Sequence, residues 1–132
     1  MNTNAQVGHA AYQRGQVGSA GPVRIVVLLY EGAIRFVRQA LEKFDDPGAR
    51  GHALGRAHRI VSELLAALDY DAGGEIAQNL DRLYRFVLDE ITRANVENER
   101  EPLKGVVKVL DALGDGWRQI EVEKASGGTQ TP

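Results

Sequence analysis

The chain has 132 residues and no cysteine, enough for one domain with a real core but without a disulfide, a thiolate metal site or a cysteine nucleophile. Hydrophobic residues make up 43%, charged residues 26%, and the formal net charge is -2. That balance suits a soluble globular protein and lacks the basic face that a nucleic-acid binder needs to displace counterions.

Residues 1–21 are rich in alanine and glycine and show little periodicity, so they are expected to form an N-terminal arm, flexible or packed on the domain. The opening "MNTNAQVGHAAYQRGQ" has no basic-then-apolar leader pattern, which makes the cytoplasm the expected location. Tyr12 and Val17 stand out in this segment as apolar pegs able to enter a groove. The first helix is predicted from about Pro22 to Phe44. Pro22 suits the first helical position, where its missing N–H would be unpaired anyway. Its most apolar run, "VRIVVLLY", is interrupted by Arg24 and falls far short of the ~20 residues a membrane span requires. After the break at "DDPG", a second helix is predicted from about Ala49 to Leu68, with Ala53, Ala57, Ile60, Leu64 and Ala67 at helical spacing. A third runs from Glu75 to about Asn95, with Ile76, Leu80, Leu83, Val87, Ile91 and Ala94 on one face. A fourth runs from about Glu101 to Glu123, with Leu103, Val106, Leu110, Leu113 and Trp117. Four helices with short links predict an all-α fold, an antiparallel four-helix bundle over residues 22–123 with the N-terminal arm before it. The small, polar residues 124–132 are expected to be a disordered tail.

Catalytic patterns are weak. Bundle metal sites place glutamate three residues before histidine, and none of His9, His52 and His58 has that partner. No serine sits in a nucleophile elbow. Glu63, Asp69, Asp71 and Glu75 cluster near Gly73 and Gly74, but charges at helix ends account for them, and Glu75 suits a helix N-terminus. "GGEIAQN" has neither the preceding strand nor the lysine of a phosphate loop. The paired glycines instead permit the left-handed backbone that stops one helix and starts the next. No enzyme activity, cofactor or metal is expected.

The first helix is more apolar than a bundle position requires. One stripe holds Val23, Val26, Val27, Tyr30, Ile34, Val37, Leu41 and Phe44. At about 100° per residue, a second holds Ile25, Leu28, Leu29, Gly32 and Phe36. Tyr84 and Leu88 widen the inner face of the third helix, while Phe86 falls away from it. Such excess asks for cover by the arm, a second subunit or a partner helix.

These residues also carry a resemblance. "AYQRGQVGSAGPVRIVVLLYEGAIRFVRQA" resembles the opening of FliS, the flagellin-specific export chaperone family. "LDYDAGGEIAQNLDRLY" resembles its second signature, and "ITRANVENEREPL" and "GDGW" agree with its third and fourth helices. Gly21 stands where serine is usual, and Leu29 where methionine is usual. The resemblance implies a bundle with a packed N-terminal arm, around which the C-terminal segment of flagellin wraps, competing with or displacing that arm. It implies a partner-binding set of Tyr12, Val17, Leu29, Tyr30, Ile76, Asn79, Leu80 and Tyr84, to which the second stripe adds Phe36. Pro22, Gly32, Gly73, Gly74, Glu75 and Trp117 are expected to be structural. The flagellar export machinery is a further partner that the family allows, and neither nucleic acid nor membrane insertion is expected. The alternative is a structural or regulatory bundle that uses its apolar excess to form a homodimer.

Overall fold

The computed structural model describes residues 11–12 and 21–130, with side chains through Glu123. Four helices follow one another: α1 (Pro22–Glu42), α2 (Pro47–Ala66), α3 (Tyr70–Glu97) and α4 (Glu101–Gln130). This is the expected all-α bundle. Packing runs α1 on α2, α2 on α3, α3 on α4, and α4 back on α1. Cross-helix pairs fix the directions. Between α1 and α2 a Cβ on Gly32 would meet Ile60, Arg56 lies over the Phe36 ring and Arg50 over the Phe44 ring. Between α1 and α4, Arg24 pairs with Glu121, Glu31 with Arg118 and Arg38 with Asp111. In both sets the numbers rise on one helix and fall on the other, so the neighbours are antiparallel.

The ends follow local chemistry. Gly21 offers no side-chain cap to α1, whose start instead rests on Pro22. Asp46 and Asp69 cap α2 and α3 by accepting from the backbone N–H groups of Ala49 and Ala72. Asn98 closes α3 in the left-handed conformation with φ 59°. Several boundaries differ from expectation, the starts of α2 and α3 because of these caps. α2 starts at Pro47 and ends at Ala66, and the turn after it lets a helical segment begin at Tyr70, before the glycines. α4 continues to Gln130, past the expected end near Glu123.

Gly74 interrupts α3. Its φ of 53° and ψ of -128° are non-helical, a region open to glycine but strained for any side chain. The short turn before it is therefore set at an angle to the body of the helix that begins at Glu75. The Tyr70 hydroxyl donates to Asp81 across this kink. Arg85 first, and then Tyr70, hold the Asp81 carboxyl below its ordinary range.

The core is mainly Val, Leu, Ala and Tyr from all four helices. Its far end is closed by Arg50, a buried cation. Arg50 donates to the backbone carbonyl of Phe44 at 2.9 Å, to Asn95 Oδ1 at 3.0 Å and to Asn98 Oδ1 at 2.7 Å.

No heavy atom lies within 4 Å of a Cβ built on Gly74, so Gly74→Ala tests the torsion alone. It should lower stability by about 1–3 kcal/mol in a denaturant melt followed by circular dichroism, with helicity kept at room temperature.

Candidate functional site

The site grows from the junction of α2 and α3. A helix leaves its last four carbonyls without helical partners, and Leu64 holds one of them near the end of α2. The Tyr12 hydroxyl sits 3.0 Å from that carbonyl oxygen. It also lies 2.7 Å from the Tyr84 hydroxyl, which in turn lies 2.5 Å from that of Tyr30. A carbonyl only accepts, and each phenol has a single proton. Tyr12 therefore donates to Leu64, Tyr84 to Tyr12, and Tyr30 to Tyr84. The Tyr12 and Trp117 rings meet edge to face with centroids 5.5 Å apart, an attractive geometry for aromatic pairs. Arm, α1, α2 and α3 thus meet at one polar chain inside an apolar core, and α4 packs Trp117 against it.

Ala11 holds the second half of the junction. Its carbonyl accepts the Asp69 N–H at 2.7 Å. A Cβ on Gly73 would lie 2.8 Å from the Ala11 Cα and 2.9 Å from its Cβ. Only glycine at 73 lets the arm backbone come so close. The backbone roles of Ala11, Leu64 and Asp69 escape a periodicity reading.

The expected site residues fall into three groups. Tyr30 and Tyr84 are fully buried, Tyr12 and Leu80 nearly so. Leu29, Phe36 and Ile76 are partly buried and pack against the core. Asn79 is exposed and accepts from Arg82 on its own helix. Val17 lies outside the described residues. Among the residues expected to be structural, Gly32 and Trp117 are buried, with Gly32 at the approach to Ile60. Pro22 opens α1, and Glu75 is exposed just after the Gly74 kink. Asp69 is occupied as the α3 cap, and Glu63 pairs with Arg59 at 3.8 Å. Among the described residues no group of three His, Cys, Asp or Glu side chains is placed to hold a metal ion. No helix among them is long and apolar enough to cross a membrane.

A helical bundle with an arm anchored across the junction of its helices, and with apolar surface remaining on its flanks, defines a binding protein. Residues 4–124 match the family model described as "Flagellar protein FliS", and the chain belongs to that family. It is 36% identical over 111 residues to the flagellar secretion chaperone FliS of Vibrio cholerae, an overlap of 82% of this chain and 81% of the relative. It is 33% identical over 112 residues to the flagellar secretion chaperone FliS of Campylobacter jejuni, covering 83% and 88%. With that of Salmonella typhimurium it shares 35% over 108 residues, covering 79% of each.

Burial pushes the hydroxyls of Tyr12, Tyr30 and Tyr84 well above the ordinary tyrosine value of 10. The unfolded chain would ionise these groups near that value, while the folded chain keeps them neutral. Above pH ~10 the folded chain therefore holds more protons, so stability is complete below that pH and falls as pH rises beyond it. Absorbance at 295 nm should show only Tyr70 ionising in the folded chain, with the other three appearing together with the loss of helix. Tyr84→Phe breaks both links of the chain and should cost about 1–3 kcal/mol in a melt at neutral pH, the scale for a buried polar group left unpaired.

Proposed function

We propose that this protein is a flagellar secretion chaperone that binds the C-terminal segment of flagellin. It keeps flagellin from polymerising early, in the cytoplasm, and hands it over competent for the flagellar export machinery. The observation that carries this reading is the second stripe of α1. Leu28 is 48% exposed, and Leu29 and Phe36 are only partly covered by the bundle. Phe86 on α3 is equally open at 48%. Apolar surface of this kind, in a chain whose relatives are named secretion chaperones, suits an amphipathic client segment that folds as it binds.

The anchor at Ala11 and Tyr12 fits the same reading. Without a client, Tyr12 fills the junction of α2, α3 and α4 and satisfies the Leu64 carbonyl. A client that reaches this end of the bundle meets the arm there, either replacing Tyr12 or packing beside it. Partner-binding roles for Tyr12, Val17, Leu29, Tyr30, Phe36, Ile76, Asn79, Leu80 and Tyr84 belong to this proposal. For Tyr30 and Tyr84 the role is indirect, since both are enclosed and act by shaping the seat.

Full-length flagellin should form a complex with this protein on gel filtration, and flagellin lacking its C-terminal segment should not. Calorimetry should show a clearly negative heat-capacity change, as for coupled folding that buries about 1,000–3,000 Å². Leu29→Asp and Phe36→Asp should weaken the complex while the helical melt is retained. Equal binding of the truncated flagellin would refute this client assignment. A tight concentration-dependent dimer by sedimentation, with no flagellin complex, would favour the self-associating bundle instead.

A further inference from the structure

The open flank between α1 and α2 carries a charge pattern that its apolar surface alone does not explain. Most surface arginines of the bundle have a carboxylate. Arg24 has Glu121, Arg38 has Asp111, Arg59 has Glu63, Arg85 has Asp81 and Arg93 has Glu90. Arg35 and Arg56 have none among the described residues. Instead they converge on one ring. The Arg35 guanidinium lies 5.4 Å and that of Arg56 5.7 Å from the centroid of Phe36. Arg56 Nε donates to His52 Nε2 at 3.0 Å. Ile60, partly covered, lies beside Gly32, one turn before Phe36 on α1, and the same helix carries the half-exposed Leu28 and the partly covered Leu29.

We infer that the α1–α2 flank docks an amphipathic helix whose apolar stripe is bordered by carboxylates, with Arg35 and Arg56 as the charges that select it. The inference rests on the reading of this protein as a chaperone and names the chemistry of the segment taken there. A lone apolar flank would accept any amphipathic helix. Two guanidiniums with no ion pair among the described residues, held over an aromatic face, change that. They are weakly hydrated, planar and suited to bidentate carboxylate contact. A partner bordered by lysine meets like charge at the same two points, which disfavours it. The close α1–α2 approach at Gly32 and Ile60 keeps the two arginines, on different helices, at a fixed spacing over one ring.

Two labelled helical peptides with the same apolar stripe, one bordered by glutamate and the other by lysine, test this by fluorescence anisotropy on the full chain. The glutamate peptide should bind at least about tenfold more tightly, the scale of a single close charge contact. Arg35→Glu with Arg56→Glu should invert the order, and Arg35→Gln with Arg56→Gln should abolish it, with unchanged circular dichroism melts. Arg85→Gln with Arg93→Gln, on α3, should leave the preference intact. No preference in the wild-type chain, or a preference lost equally with the Arg85 and Arg93 pair, overturns the inference. Flagellin is titrated in parallel. Binding of flagellin without any peptide preference leaves the chaperone reading standing and removes this one. The peptide preference with no flagellin binding does the reverse.

Discussion

The Leu64 carbonyl is a pure acceptor at the end of a helix, and it sets the direction of the bonds that run back through the core. Because it can only accept, Tyr12 must donate to it, which leaves the Tyr12 oxygen to receive Tyr84 and the Tyr84 oxygen to receive Tyr30. Chains of this kind polarise one another in a low-dielectric interior, and a break anywhere leaves a buried group unpaired. The tyrosines come from the arm, α3 and α1, so the relay demands that three segments reach one point within hydrogen-bond distance. The rest of the junction follows from that demand. Gly73 must lack a side chain for Ala11 to approach, Asp69 must present its N–H to Ala11, and Gly74 must take a backbone conformation that tilts the start of α3 toward the arm.

The opposite end of the bundle is closed by different means. Arg50 is a buried cation whose hydrogen-bond acceptors among the described residues are neutral: two asparagine oxygens and backbone carbonyls, with the Phe44 face beneath it. A delocalised guanidinium with several directed donors tolerates such a site better than an ammonium would. Its contacts join the α1–α2 link to the last turn of α3, while Arg100 ties Asp45 to the start of α4. Directional polar groups thus hold both ends, and non-directional apolar packing fills the length between them. The ends fix which helix lies beside which, something that Val and Leu alone do weakly.

Helix number, order and inner faces were legible in the sequence because periodicity reports burial directly. Val26, Val37, Leu64, Ile91 and Leu110 sit where their spacing puts them. The body of α3 starts at Glu75, as its spacing puts it, but the extra turn from Tyr70 was not legible, because it depends on Asp69 as a cap and on the Gly74 torsion. The relay was not legible at all. Tyr30 and Tyr84 are helical core positions by pattern, and a family signature marks them equally whether they pack or touch a partner. Nothing local says that two hydroxyls sharing one site must meet a third from residue 12. The general rule that a buried phenol finds a partner says that a bond exists but not with what. The two arginines over Phe36 were hidden for a related reason: Arg35 and Arg56 lie on different helices, and only the crossing at Gly32 brings them to one ring.

The polar character of the arm seat matters for reversibility. An arm held by a large aliphatic plug would expose its full apolar area on leaving, a cost proportional to that area. A phenol differs because its hydroxyl trades one partner for water, so the net loss per hydrogen bond is only about 0.5–1.5 kcal/mol. The group that suffers is the one left behind. With Tyr12 gone, Tyr84 loses its acceptor and the Leu64 carbonyl its donor, both in a site with little access to solvent. The vacant seat is therefore worse than either the closed state or one refilled by a group with a hydroxyl or N–H to offer. Under the chaperone reading, this makes arm release depend on what arrives: an apolar segment alone does not restore the relay, whereas one that brings a donor to the Leu64 carbonyl does. The seat then discriminates by hydrogen-bond completion, and the flank between α1 and α2 by charge, so two surfaces of one small bundle impose separate conditions on the same client.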